Sequence, residues 1–123
     1  MEISAQGFKL ILSLSAPDVE GWMTTEVMVD TDIFTGGFLC DIEEKEWSGF
    51  KKQLQSLYDS VGTERRIEWS NMEQNIELII EMSGSGKLEA EYRLCPSSFQ
   101  GPYLSGEFAA DQSYLPLWIG SAG

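Results

Sequence analysis

The chain contains no histidine. That absence removes Ser-His-Asp and Cys-His catalysis, imidazole proton shuttles and every histidine-ligated metal site. Cysteine is scarce: only Cys40 and Cys95 occur, far apart and without a Cys-x-x-Cys pair. Two such cysteines fit reduced, packing side chains in a cytoplasmic protein better than a secreted disulfide framework. The start, MEISAQGFKL, lacks the basic segment and long apolar stretch of a secretory leader. No apolar run is long enough to span a bilayer, so no membrane partner is expected. Basic residues are few: eight Lys and Arg stand against twenty Asp and Glu, a formal net charge of −12. A field of that sign repels nucleic acid phosphates and attracts basic partners.

What is present is enough for an ordinary fold. At 123 residues, 42% of them hydrophobic, the chain predicts a single domain, 1–123, with one core. Its dominant pattern has period two. In Phe8 to Leu14 every even position is apolar, so one face is buried. A second strand, Trp22 to Asp30, carries Met23, Val27 and Val29 on one face and Trp22 and Met28 on the other, as if covered on both sides. A third runs from Phe34 to Ile42, where Gly36 and Gly37 suggest a bulge or a close backbone approach.

The period then changes. Trp47, Phe50, Leu54, Leu57 and Val61 recur at helical spacing and form one apolar stripe. This predicts a helix over about 43–61, with Asp41 and Glu44 at capping-box spacing and Gly62 ending it. Glu43, Glu44 and Glu46 crowd its positive end, primarily as a complement to the helix dipole and secondarily as a partner contact. Four more strands follow, roughly Arg65 to Trp69, Ile76 to Met82, Lys87 to Leu94 and Tyr103 to Ala110. In the Met82–Leu88 hairpin, a three-residue loop sets Glu81 opposite Lys87, and a five-residue loop sets Glu77 opposite Arg93. Both registers keep the apolar face together.

The fold expected is therefore α+β. It has about seven mostly antiparallel strands in a curved sheet or incomplete sandwich, one amphipathic helix between strands 3 and 4, and a short C-terminal helix. In that last segment Asp111 or Ser113 caps a new helix, and Pro116 sits in its first turn. Tyr114 with Trp118, and Leu115 with Ile119, give it an apolar side. Deleting 114–123 is expected to cost stability rather than remove a catalytic group.

No catalytic set emerges. SGSGK at 83–87 has Met82 where a phosphate loop needs glycine, and Leu88 where it needs Ser or Thr. Asp30 and Asp32 read as turn residues. No metal site or cofactor is expected. The outward acids are the first candidate for a binding surface. Glu77, Glu81, Glu89, Glu91 and Glu107 should point from one side of three consecutive strands, with only Lys87 and Arg93 to offset them locally. An alternative is a small-ligand pocket lined by Trp22, Trp69 and Tyr92.

An ordered set of residues carries a family resemblance over nearly the whole chain. Gly21-Trp22 leads to Glu26-Val27 and Val29, then Phe34 and Gly37-Phe38. Glu46-Trp47, Phe50, Leu54 and Leu57-Tyr58 follow on the helix. Leu104, Gly106, Phe108 and Asp111 to Pro116 close the set. In these the chain resembles the bacterial WapI-type immunity proteins, which sit beside polymorphic, contact-dependent toxins. The resemblance implies no catalytic residues. It implies stoichiometric binding of a cognate toxin domain in the cytoplasm, with occlusion of the toxin's active site. Many such toxins are nucleases with basic clefts, a target that suits an acidic inhibitor.

Overall fold

The structure, a computed structural model, describes residues 1–97 and 100–122. Among them are eight strands: β1 (Glu2–Ala5), β2 (Phe8–Leu14), β3 (Trp22–Thr31), β4 (Thr35–Glu43), β5 (Arg65–Ser70), β6 (Ile76–Met82), β7 (Lys87–Leu94) and β8 (Leu104–Asp111). Helix α1 (Glu44–Asp59) joins β4 to β5, and a 3₁₀ turn at Gln112–Tyr114 leads into α2 (Leu115–Gly120). The strands form two four-stranded antiparallel sheets, ordered β1-β2-β3-β4 and β5-β6-β7-β8. The expected class holds, but there are eight strands rather than seven, and two sheets rather than one curved sheet.

The inner faces meet through aromatic rings. Phe8 of β2 stacks on Phe108 of β8 at 4.2 Å and lies 4.7 Å from Tyr92 of β7. Helix α1 adds Trp47, Phe50, Leu54 and Leu57, all buried, to the same core. Complete burial of one such side chain is worth about 1.5–3 kcal/mol. Trp69 of β5 stacks on Phe50 at 4.6 Å and donates its Nε1–H to the Glu46 carbonyl at 3.1 Å, which fixes α1 to the second sheet.

Several local expectations change. The helix spans 44–59, not 43–61, and Val61 lies past its end, 37% exposed. Asp41 does not cap it: its backbone stays in the β3–β4 ladder opposite Thr24, and Glu43 precedes the helix without a side-chain cap bond. Strand pairing has overridden the capping spacing. The glycine pair makes no bulge, because Val29 faces Gly36 and Met28 faces Gly37 in regular register. Gly37 is instead the close approach, since a Cβ there would sit 3.1 Å from the Val27 carbonyl oxygen. Nor is β3 covered on both sides, for Met28 is 47% exposed.

The β6–β7 hairpin adopts the register of the five-residue loop. Met82 faces Leu88, Glu77 faces Arg93, and Glu81 faces Glu89 rather than Lys87. Gly86, at φ 89°, donates its N–H to the Ser83 carbonyl at 3.0 Å. That left-handed position selects a register which side-chain parity alone leaves open.

The C-terminal segment docks as expected. Asp111 Oδ1 accepts hydrogen bonds from the Ser113 hydroxyl and backbone N–H, which hold its carboxyl below the usual carboxylate range. Leu115 and Trp118 are fully buried. Trp118 donates its Nε1–H to the Ser4 carbonyl at 2.9 Å. The Ser121 hydroxyl accepts from the Glu2 N–H at 2.9 Å and lies 3.2 Å from the Glu2 carbonyl. The last helix thus covers the outer edge of β1.

Candidate functional site

Side chains alternate across a strand, so one set of positions on β5 to β8 must face solvent. The register lines these positions up in rows. One runs Arg66, Glu81, Glu89, Ala109; the next Glu68, Ile79, Glu91, Glu107; the third Ser70, Glu77, Arg93, Ser105. The structure therefore brings Glu77, Glu81, Glu89, Glu91 and Glu107 onto one face. It adds two residues the sequence reading passed over, Glu68 as a sixth acid and Arg66 as a third cation. The alternation in RRIEWS, with Ile67 inward, is the signal that places both.

The cations are already engaged. Arg66 bridges Glu68 at 2.6 Å and Glu81 at 3.7 Å. Lys87 meets Glu89 at 3.5 Å, and Arg93 meets Glu77 at 3.6 Å while lying 4.4 Å over the Tyr103 ring. Among the described residues no ion pair reaches Glu91 or Glu107, and these two face each other directly. The Gln112 N–H bonds the Gly86 carbonyl at 2.8 Å, so even-numbered β8 residues make the β7–β8 ladder bonds. Glu91 and Glu107 thus form a non-hydrogen-bonded pair, where side chains come closest, with Cα atoms about 4.5 Å apart. Like charges in that position destabilise a sheet.

The face is gently concave. Two shallow depressions of about 620 and 430 Å³ share Ile79, Glu91 and Glu107. An apolar centre ringed by carboxylates suits a partner carrying Lys or Arg around a small apolar contact.

The other candidates separate from this face. Glu43, Glu44 and Glu46 lie at the β4–α1 junction, and none borders either depression. Glu46 is used internally: its Oε2 accepts from the Met72 N–H at 2.8 Å, and its Oε1 is buried without a partner among the described residues. Burial pushes its carboxyl above the usual range, and the Glu43 and Glu73 carboxylates add to this against the Met72 bond.

The aromatic trio does not assemble into a pocket. Trp69 and Tyr92 border the larger depression, but their rings turn inward, Trp69 stacked on Phe50 and Tyr92 tilted against Phe8. Trp22 stands on β3, in the first sheet, opposite Glu43. Cys40 and Cys95 are free and buried, and burial followed by the neighbouring Asp41 pushes the Cys40 thiol up to about 12. Such a thiol stays neutral and is a poor nucleophile. Among the described residues no group of Cys, Asp or Glu is placed to hold a metal ion, and no helix is long and apolar enough to cross a membrane.

Comparison with known proteins gives one informative match. Among curated proteins, none matches the chain. A solved structure described as a protein of unknown function from the DUF155 family of Prochlorococcus sp. NATL2A is 11% identical, over 98% of this chain and 97% of that one, with a TM-score of 0.39. That likeness is too distant to carry an argument. The family model described as "Immunity protein WapI-like family" matches residues 3–122, nearly the full length. The chain belongs to the WapI-like immunity protein family.

Proposed function

We propose that this protein neutralises a cognate toxin domain in the cytoplasm by stoichiometric binding, without catalysis, and that the outer face of the second sheet docks on a basic surface of that toxin. The observation that carries the reading is the uncompensated Glu91–Glu107 pair. Folding alone would favour a cation or a neutral residue at one of the two positions. A partner's Lys or Arg placed between them turns the repulsion into attraction, and that gain exists only in the complex. The net charge of −12 adds long-range steering toward a basic cleft, such as that of a nuclease. Covering the cleft excludes its substrate, so inhibition needs no chemistry from the inhibitor.

The direct test pairs the protein with the toxin domain encoded beside its gene and follows association at several salt concentrations. Glu89→Lys and Glu91→Lys together should slow association about tenfold or more and flatten its salt dependence. An unchanged on-rate with an unchanged salt slope removes this face from the interface. Failure of the wild-type pair to associate removes the immunity reading itself.

A further inference from the structure

Each sheet has two edges, and the four edge strands are not equally protected. On β1 the outward N–H of Glu2 is accepted by Ser121 and the outward carbonyl of Ser4 is taken up by Trp118. β5 carries Arg66 and Glu68 at its outward positions, and β8 carries Glu107. Charges of this kind discourage the pairing of a further strand. β4 has none over its first six residues: Ile33 to Cys40 is uncharged, in a chain with 23% charged residues.

The ladder shows where the β4 backbone points. The Thr31 N–H bonds the Phe34 carbonyl at 2.7 Å, so even-numbered residues of β4 turn their N–H and C=O toward β3. Odd-numbered residues turn theirs away. The carbonyl of Asp41 confirms this parity, since the Asn71 side chain reaches it from outside the sheet at 3.3 Å. The N–H and C=O groups of Thr35, Gly37 and Leu39 remain directed at solvent, on three exposed residues of the strand that ends its sheet. A Cβ built on Gly36 would meet nothing within 4 Å. Ile33, Phe34 and Leu39 stand beside this edge, 83%, 57% and 66% exposed.

We propose that the free edge of β4 receives an extended strand from the toxin domain, uncharged in its middle and basic at both ends. The chemistry of the occupant follows from the flanks. Asp30 and Asp32 border one end of the uncharged stretch, and Asp41, Glu43 and Glu44 border the other. Backbone hydrogen bonds from Thr35, Gly37 and Leu39 supply attachment, and the acidic ends select the partner. A second copy of this chain is a poor occupant, because antiparallel self-pairing brings the acidic ends together between chains of net charge −12 each. The identity of the partner rests on the immunity reading; the strand chemistry rests on the edge itself.

The experiment is amide NMR and hydrogen exchange on the full chain, first with a synthetic peptide, Lys-Val-Thr-Val-Thr-Val-Lys. This probe is N-methylated on the alternate residues that would face away from the edge, which prevents it from stacking on itself. The amides of Thr35, Gly37 and Leu39 should shift and become protected. A peptide with Glu at both ends should bind about tenfold more weakly or worse. Leu39→Pro, which removes one outward donor, and Leu39→Lys, which retains the fold if proline does not, should each weaken the basic peptide about tenfold. Glu64→Lys, an exposed residue just before β5, should leave its affinity unchanged. Binding elsewhere, binding indifferent to Leu39→Lys, no binding at all, or a dimer joined through β4 overturns the proposal. The second arm repeats exchange in the toxin complex. A tight complex whose Thr35, Gly37 and Leu39 amides exchange as freely as in the isolated protein also overturns it. A peptide seated on β4 beside a toxin domain that does not bind keeps the edge and removes the immunity reading.

Discussion

β1 and β4 are the two edges of one sheet, and the chain treats them in opposite ways. β1 is only four residues long with a single fully buried side chain, Ile3, yet its outward Glu2 N–H and Ser4 carbonyl are engaged by a hydroxyl and an indole of the C-terminal segment. β4 is nine residues long and keeps Thr35, Gly37 and Leu39 open. Pairing groups left in water invite association, so an open neutral edge is a hazard unless it has a use. A short edge that contributes little to the core is sealed; a long edge beside exposed apolar side chains is not. Two ends of one sheet can thus serve different purposes, one stabilising the fold and the other remaining available to a partner.

Substitutions can break or sharpen this contrast. The largest effect is expected on the sealed side. Trp118→Ala removes a fully buried ring and the bond to Ser4 together, and should cost about 3–5 kcal/mol of unfolding free energy in a denaturant titration. A loss below about 1 kcal/mol would show that α2 merely rests on β1. Ser121→Ala should cost about 1 kcal/mol, with faster exchange of the Glu2 amide as its local signature. Smallest is Leu39→Lys on the open side, expected within about 0.5 kcal/mol of wild type because the side chain touches solvent and the backbone N–H points away from β3. A large destabilisation there would mean that β4 is already braced, and the contrast between the edges would fail.

Much of this was legible in the sequence, for reasons that particular residues make clear. The stripe Trp47, Phe50, Leu54 and Leu57 repeats long enough to define a helix and its buried face. The outward acids of β6 to β8 follow from parity alone, since the inward positions are apolar without a break. β1 was missed because four residues give too short an alternation to stand above chance. Nothing local says that the chain leaves one sheet at Glu43 and starts another at Arg65; that division depends on how the two inner faces meet. The roles of Glu46 and Asn71 were equally hidden, because Met72 and Asp41, their partners, lie 26 and 30 residues away. Pairings that distant leave no periodic trace.

The seal on β1 also sets a clock. Ser121 follows Glu43, the last residue of the first sheet, by 78 residues, and ribosomes add about 5–20 residues per second, so roughly 4–16 s separate the completed sheet from the cover of its first edge. For that interval the first sheet of a growing chain has two open sides instead of one. Any slowing of translation between Glu43 and Ser121 lengthens the exposure.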